Sequence, residues 1–150
     1  PNIGIGNSSD STYISGIIGN IVIGTPVYID IDSRLGTNVS SQRFKENISN
    51  LNDNINQKLL SLKPVSFTYK SDENHNLQYG LIAEDVYTKI PELVILKEDE
   101  GSTEDIAKQV PYTVKYDQLI PLLLNQVIKM NEDIIKMNEE IKILKEKVSA

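Results

Sequence analysis

Ser40 and Lys45, within "VSSQRFKENI" at residues 39–48, put a hydroxyl and an amine five residues apart. Serine is a poor nucleophile until a base takes its proton, and a neutral lysine can be that base. A lysine in water has a pKa near ~10.4, so the role demands desolvation or a nearby positive potential. Arg43, or the N-terminus of the helix expected to follow, could supply that potential. Side chains five apart do not share a helical face, so a bend or an approach from another subunit is required. Taken alone, such a pair is common and reads as surface loop. Its position singles it out, because it stands where one kind of sequence gives way to another.

Other nucleophilic arrangements find little support. The chain has no cysteine and one histidine, His75, in the polar stretch "KSDENHN", where it reads as a solvated loop residue. No paired-histidine motif and no glycine-rich phosphate loop opening a helix is present, and the "GIG" at residues 4–6 is too short to count. The net charge is −6, the pI is near 4.8 and the fifteen Lys and Arg residues are scattered. That is a poor footprint for nucleic acid or an anionic membrane. No apolar run approaches the ~20 residues of a membrane helix. The opening "PNIGIG" lacks an initiator Met and a basic-then-apolar signal, and the chain reads as the C-terminal part of something longer.

The elements that must position the pair fall in three zones. With 150 residues, 39% of them apolar, the chain can hold one modest domain and an appendage. Residues 1–39 carry six of the eight glycines and no lysine. Val27, Ile29 and Ile31 alternate with Tyr28, Asp30 and Asp32 at strand spacing. Short strands punctuated by "GIG", "SGIIG" and "RLGT" suggest β-structure that finds its core by intertwining with copies of itself; a flexible linker is the plainer alternative.

Lysine appears in residues 40–116. There Ile48, Leu51, Ile55, Leu59 and Leu62 recur at helical spacing until Pro64. Val65, Phe67 and Tyr69 alternate as a strand, and a second strand, a glycine turn and a short helix over 83–90 follow, stopped by Pro91. "LVIL" and "PYTVKY" read as paired strands joined by the polar loop "KEDEGSTEDIAKQ". Together these predict a small α+β unit.

Residues 117–150 predict one helix, with Asp117 as N-cap and Pro121 in its first turn. Ile120, Leu123, Val127, Met130, Ile134, Met137, Ile141, Leu144 and Val148 step by threes and fours, four consecutive heptads and so a coiled coil. A long amphipathic helix lying on its own domain is the alternative. β-Branched residues at a with Leu or Met at d would by themselves lean weakly towards two strands.

In this setting "SSQRFKENI" resembles the opening motif of the endosialidase-type intramolecular chaperone domain, a self-cleaving C-terminal module of phage tailspikes and tail fibres. Ser40, Arg43, Phe44, Lys45, Glu46, Asn47 and Ile48 fit the pattern, while Ser41 stands where Asp is frequent. "LLSLKPVSFTYK", "YGLIAEDV" and "VPYTVKYDQLIPLLL" are similar to later blocks in the family's order, so the resemblance covers roughly residues 40–150. "RLGT" just upstream is similar to the lead-in of many members.

The resemblance implies an N-terminal β-rich fibre stub (1–39), a chaperone and autoproteolytic domain (40–150) and a long coiled-coil helix, assembled as a parallel homotrimer. It implies Ser40 as nucleophile, Lys45 as general base and Val39–Ser40 as the scissile bond, with no cofactor. The partners would be copies of the chain and its own upstream fibre, in a virion tail fibre or spike whose module is released in the host cell. Alternatives on the same plan are a non-cleaving trimeric module, a cell-surface adhesin, or the module of a membrane-bound transcription factor, which the glycine-rich shaft suits less well.

Overall fold

The computed structural model describes residues 21–99 and 108–149. The expected turns at "GIG" and "SGIIG", and most of the polar loop after Glu98, lie outside those residues. The chain divides into two compact units between Glu46 and Asn47, seven residues after the boundary drawn from the sequence at Val39.

In the first unit, β1 (Tyr28–Ile29) pairs antiparallel with β2 (Leu35–Gly36), Ile29 opposite Leu35. The strand expected over 27–32 is cut short because Asp30 reverses the chain. Its Oδ1 accepts from the backbone N–H groups of Asp32 and Arg34 at 3.0 and 2.9 Å. Its Oδ2 accepts from Arg34 Nε at 2.7 Å, and Ser33 takes the left-handed conformation with φ 63°. Such capture of nearby N–H groups is how Asp makes turns. "RLGT" therefore contributes a strand rather than a break between strands.

The second unit is α+β. The helix expected from Ile48 begins only at α1 (Asp53–Leu60), because Asn52 caps it, accepting from the Ile55 N–H at 3.2 Å. Ile48 and Leu51 thus stand outside any helix. β3 (Val65–Phe67) pairs antiparallel with β4 (Gln78–Gly80), leaving Tyr69 beyond the strand. α2 (Ala83–Lys89) ends at Ile90, and Pro91–Leu93 make a single 3-10 turn. β5 (Val94–Glu98) and β6 (Gln109–Val114) pair antiparallel as expected, with a register shift between Ile95 and Leu96 where Pro111 brings no N–H to the ladder.

α3 (Tyr116–Val148) runs 33 residues, about 50 Å at 1.5 Å per residue. It starts one residue before the expected cap, so Asp117 sits inside its first turn. Pro121 then falls in the second turn, where its missing N–H leaves the Asp117 carbonyl without its usual helical partner. The core gathers Leu59, Val86, Ile90, Leu93, Val94, Val114 and Leu122. α3 thus enters it with one face near its start, and from Met130 to Ser149 every residue is exposed. Among the described residues, no helix is long and apolar enough to cross a membrane.

Candidate active site

Ser40 and Lys45 lie at the end of the first unit, joined by a single 3-10 turn over Gln42–Phe44. The Phe44 N–H donates to the Ser41 carbonyl at 3.1 Å and the Lys45 N–H to the Gln42 carbonyl at 2.9 Å. A 3-10 turn winds more tightly than an α-helix. Lys45 then leaves it in extended conformation, with φ −124° and ψ 142°. This is the bend that the five-residue spacing demands, and it arises within one chain.

The result is a direct contact. Lys45 Nζ donates to Ser40 Oγ at 3.2 Å. Both residues are exposed, as is Val39, whose carbonyl belongs to the peptide bond ahead of Ser40. A base at this place must instead accept the hydroxyl proton, which the same 3.2 Å separation allows. Removing water from the pair is what would favour the uncharged amine.

Arg43 turns its guanidinium onto the Phe44 ring, Cζ lying 4.7 Å from the ring centroid, a cation–π contact. The expected helix does not follow directly, since α1 opens eight residues after Lys45. Asn47 takes φ 52° where the chain passes into the second unit; Asn is among the few residues that hold this conformation readily. His75 also has positive φ (50°) and lies in the exposed turn made by Asp72, whose carboxylate accepts from the backbone of Asn74 and Asn76. Among the described residues, no group of three His, Cys, Asp or Glu side chains is placed to hold a metal ion.

The second unit carries polar links that the sequence reading missed. Tyr116 Oη accepts from the Leu81 N–H at 2.8 Å, tying the start of α3 to the end of β4. A Cβ on Gly80 would stand 2.7 Å from that oxygen and 3.2 Å from Phe67 Cε1, so the glycine of "YGLIAEDV" is required by close approach. Asn125 Nδ2 donates at 2.8 Å to the buried Asn56 Oδ1, linking α3 to α1. Asp53 and Lys129 extend this link at 2.9 Å, and Asp53 raises the Lys129 pKa through its hydrogen bond and charge. A polar residue interrupting an apolar helical face, as Asn56 and Asn125 do, is the available signal.

Among curated proteins, none matches the chain. A family model does. Three of the four sequence blocks that carry the resemblance lie in the matched segment, and the fourth, residues 110–124, lies beyond it. Residues 40–95, which begin at Ser40 and run through Lys45, α1, β3, β4 and α2, match the model of a peptidase family described as the chaperone of endosialidase, and over that segment the resemblance is shown.

Proposed function

We propose that the chain is an intramolecular trimerisation chaperone that helps an upstream β-fibre assemble and then severs itself between Val39 and Ser40. The observation that carries this reading is the 3.2 Å contact between Lys45 Nζ and Ser40 Oγ, at the first residue of the matched segment. Uncharged Lys45 takes the Ser40 Oγ proton while Oγ bonds to the Val39 carbonyl carbon, placing the negative charge on the carbonyl oxygen. Backbone N–H groups stabilise that oxyanion. Its collapse breaks the Val39 C–Ser40 N bond, and Lys45 returns the proton to the departing amine. Water then cleaves the ester, leaving a Val39 carboxylate and free Ser40 Oγ. Each molecule reacts once, and no cofactor takes part.

The exposure of the pair in a single chain supports a gate. Lys45 loses its water only when three copies meet, so cutting reports completed assembly. A three-chain β-fibre has high contact order, and its strands must find partners on other chains before burial offsets lost entropy. A module that trimerises first raises the local concentration of the shafts to about the millimolar range. Cutting then uncouples the module's unfolding from the fibre's. The match of residues 40–95 to the chaperone of endosialidase supports a virion tail fibre or spike as the setting.

The test is expression of residues 1–150 with mass spectrometry and analytical ultracentrifugation. The natural chain yields Pro1–Val39 and Ser40–Ala150, while Ser40→Ala and Lys45→Ala stay whole. A natural chain that trimerises and remains uncut removes the peptidase claim and leaves the second reading, a non-cleaving trimeric module.

A further inference from the structure

Over the heptads from Gln126 to Lys145, one edge of the coiled-coil stripe of α3 carries the carboxylates and the other, of amides and a lysine, can donate to them. With Ile120, Val127, Ile134, Ile141 and Val148 at position a, the g positions of three consecutive heptads are Gln126, Asp133 and Glu140. Asp133 and Glu140 are ionised acceptors and Gln126 carries an acceptor oxygen. The corresponding e positions are Asn131, Asn138 and Lys145, which all bring N–H donors. Gln126 Oε1 is covered within its own chain. Asp133, Asn138, Glu140 and Lys145 are exposed and free to meet another chain. The apolar stripe beside them is uncovered, Ile134 at 48% and Met137 at 53% exposure, although both are large apolar residues.

We propose that this acceptor edge reads the donor edge of a second copy of the chain, and that the ladder, rather than the apolar seam, sets the direction and register of assembly. The inference rests on the trimer reading above. In a parallel, in-register coiled coil each g residue faces the e residue five positions later on its neighbour. Asp133 then meets Asn138 of the neighbouring copy, and Glu140 meets Lys145 of the neighbouring copy. An antiparallel pair would set g against g, carboxylate facing carboxylate. A parallel slip of one heptad in one direction brings Lys147 against Lys145, and a slip in the other moves Lys145 onto Asp133 and costs the ladder a rung, leaving Glu140 without an opposite residue. The apolar seam, Ile or Val at a and Leu or Met at d, repeats too evenly to reject any of these.

The experiment uses the full chain carrying Ser40→Ala, so that it stays whole. Sedimentation compares this parent with Glu140→Lys, Lys145→Glu and the double exchange. Each single reversal places like charges across every lateral contact and lowers association by about tenfold or more at low salt, less at high salt. The double exchange restores association. Residues five apart on one helix do not face each other, so this rescue cannot arise inside a chain. Mixed with the parent, the double exchange sorts into separate assemblies. The chain has no cysteine, so Val148→Cys adds a clean reporter. Parallel, in-register copies bridge through it on mild oxidation, and antiparallel or slipped ones do not. Circular dichroism verifies that each variant keeps its helix. A parent that stays monomeric at all concentrations overturns the trimer reading itself. A parent that assembles with no loss in the single reversals, free mixing with the double exchange, or no bridge at Val148→Cys overturns this proposal alone.

Discussion

At the scale of single residues, tight contacts in the second unit predict larger effects on stability than the exposed Ser40–Lys45 pair does. Gly80→Ala forces a methyl group to 2.7 Å from Tyr116 Oη, and such overpacking costs about 1–3 kcal/mol. Tyr116→Phe removes the acceptor of the Leu81 N–H, a loss of about 1 kcal/mol. It also removes the atom that the new methyl group meets. The two substitutions together should therefore cost less than their sum, measurable as a coupling in a denaturation cycle. Asn125→Ala leaves the buried Asn56 Oδ1 without its donor and should cost about 1–3 kcal/mol. Ser40 and Lys45, by contrast, are exposed. Replacing either should leave the melting temperature of the single chain nearly unchanged while abolishing the proposed cut.

At the scale of elements, caps and turns decide where segments stop. Asn52→Ala removes the side-chain acceptor at the start of α1 and should lower stability by about 1 kcal/mol. The β1–β2 turn depends on the Asp30 carboxylate. Its pKa is lowered chiefly by the backbone N–H of Arg34, which outweighs the opposing desolvation, and further by the hydrogen bond and charge of the Arg34 side chain and by the Asp32 N–H. A depressed carboxylate pKa adds stability above the ordinary carboxylate range and loses it as pH falls through the folded value. The hairpin amides of Asp32 and Arg34 should therefore lose their characteristic shifts, read by NMR, only at strongly acidic pH. Asp30→Asn should remove the ionic share of that turn at every pH.

At the scale of the molecule, the exposed stripe of α3 is the feature a lone chain leaves unanswered. Nine large apolar residues from Ile120 to Val148 stand half or more open to water along one line, or close to it. Ile134→Lys places a charge in the middle of the seam. It should shift the sedimenting species to monomer and, with assembly lost, stop appearance of the Ser40–Ala150 fragment, although Ser40 and Lys45 are untouched. Cleavage of the natural chain should likewise slow on dilution below the assembly threshold. A cut that proceeds at the same rate in dilute monomer would show that one chain completes its own site.

The order of elements after residue 50 was legible because periodicity carries it. Threes and fours marked α3, alternation marked β3, the segments "LVIL" and "PYTVKY" on either side of a polar loop marked β5 and β6, and Pro91 marked the end of α2. The Ser40–Lys45 pair was legible only as residue types at a spacing. No periodicity states that a 3-10 turn at Gln42–Phe44 brings Lys45 Nζ to 3.2 Å from Ser40 Oγ. Apolar spacing points to a helix from Ile48, but α1 starts at Asp53, since spacing cannot see that Asn52 captures a backbone N–H; α3 starts at Tyr116, ahead of the expected cap Asp117, with no side-chain cap. The need for Gly80 and the burial of Asn56 were decided by distant partners, Tyr116 and Asn125. Local pattern determined what each segment of this protein is, because helix and strand repeat along the chain. Contacts between segments far apart in sequence decided where those segments stop and what they touch, because packing and hydrogen-bond satisfaction act through space.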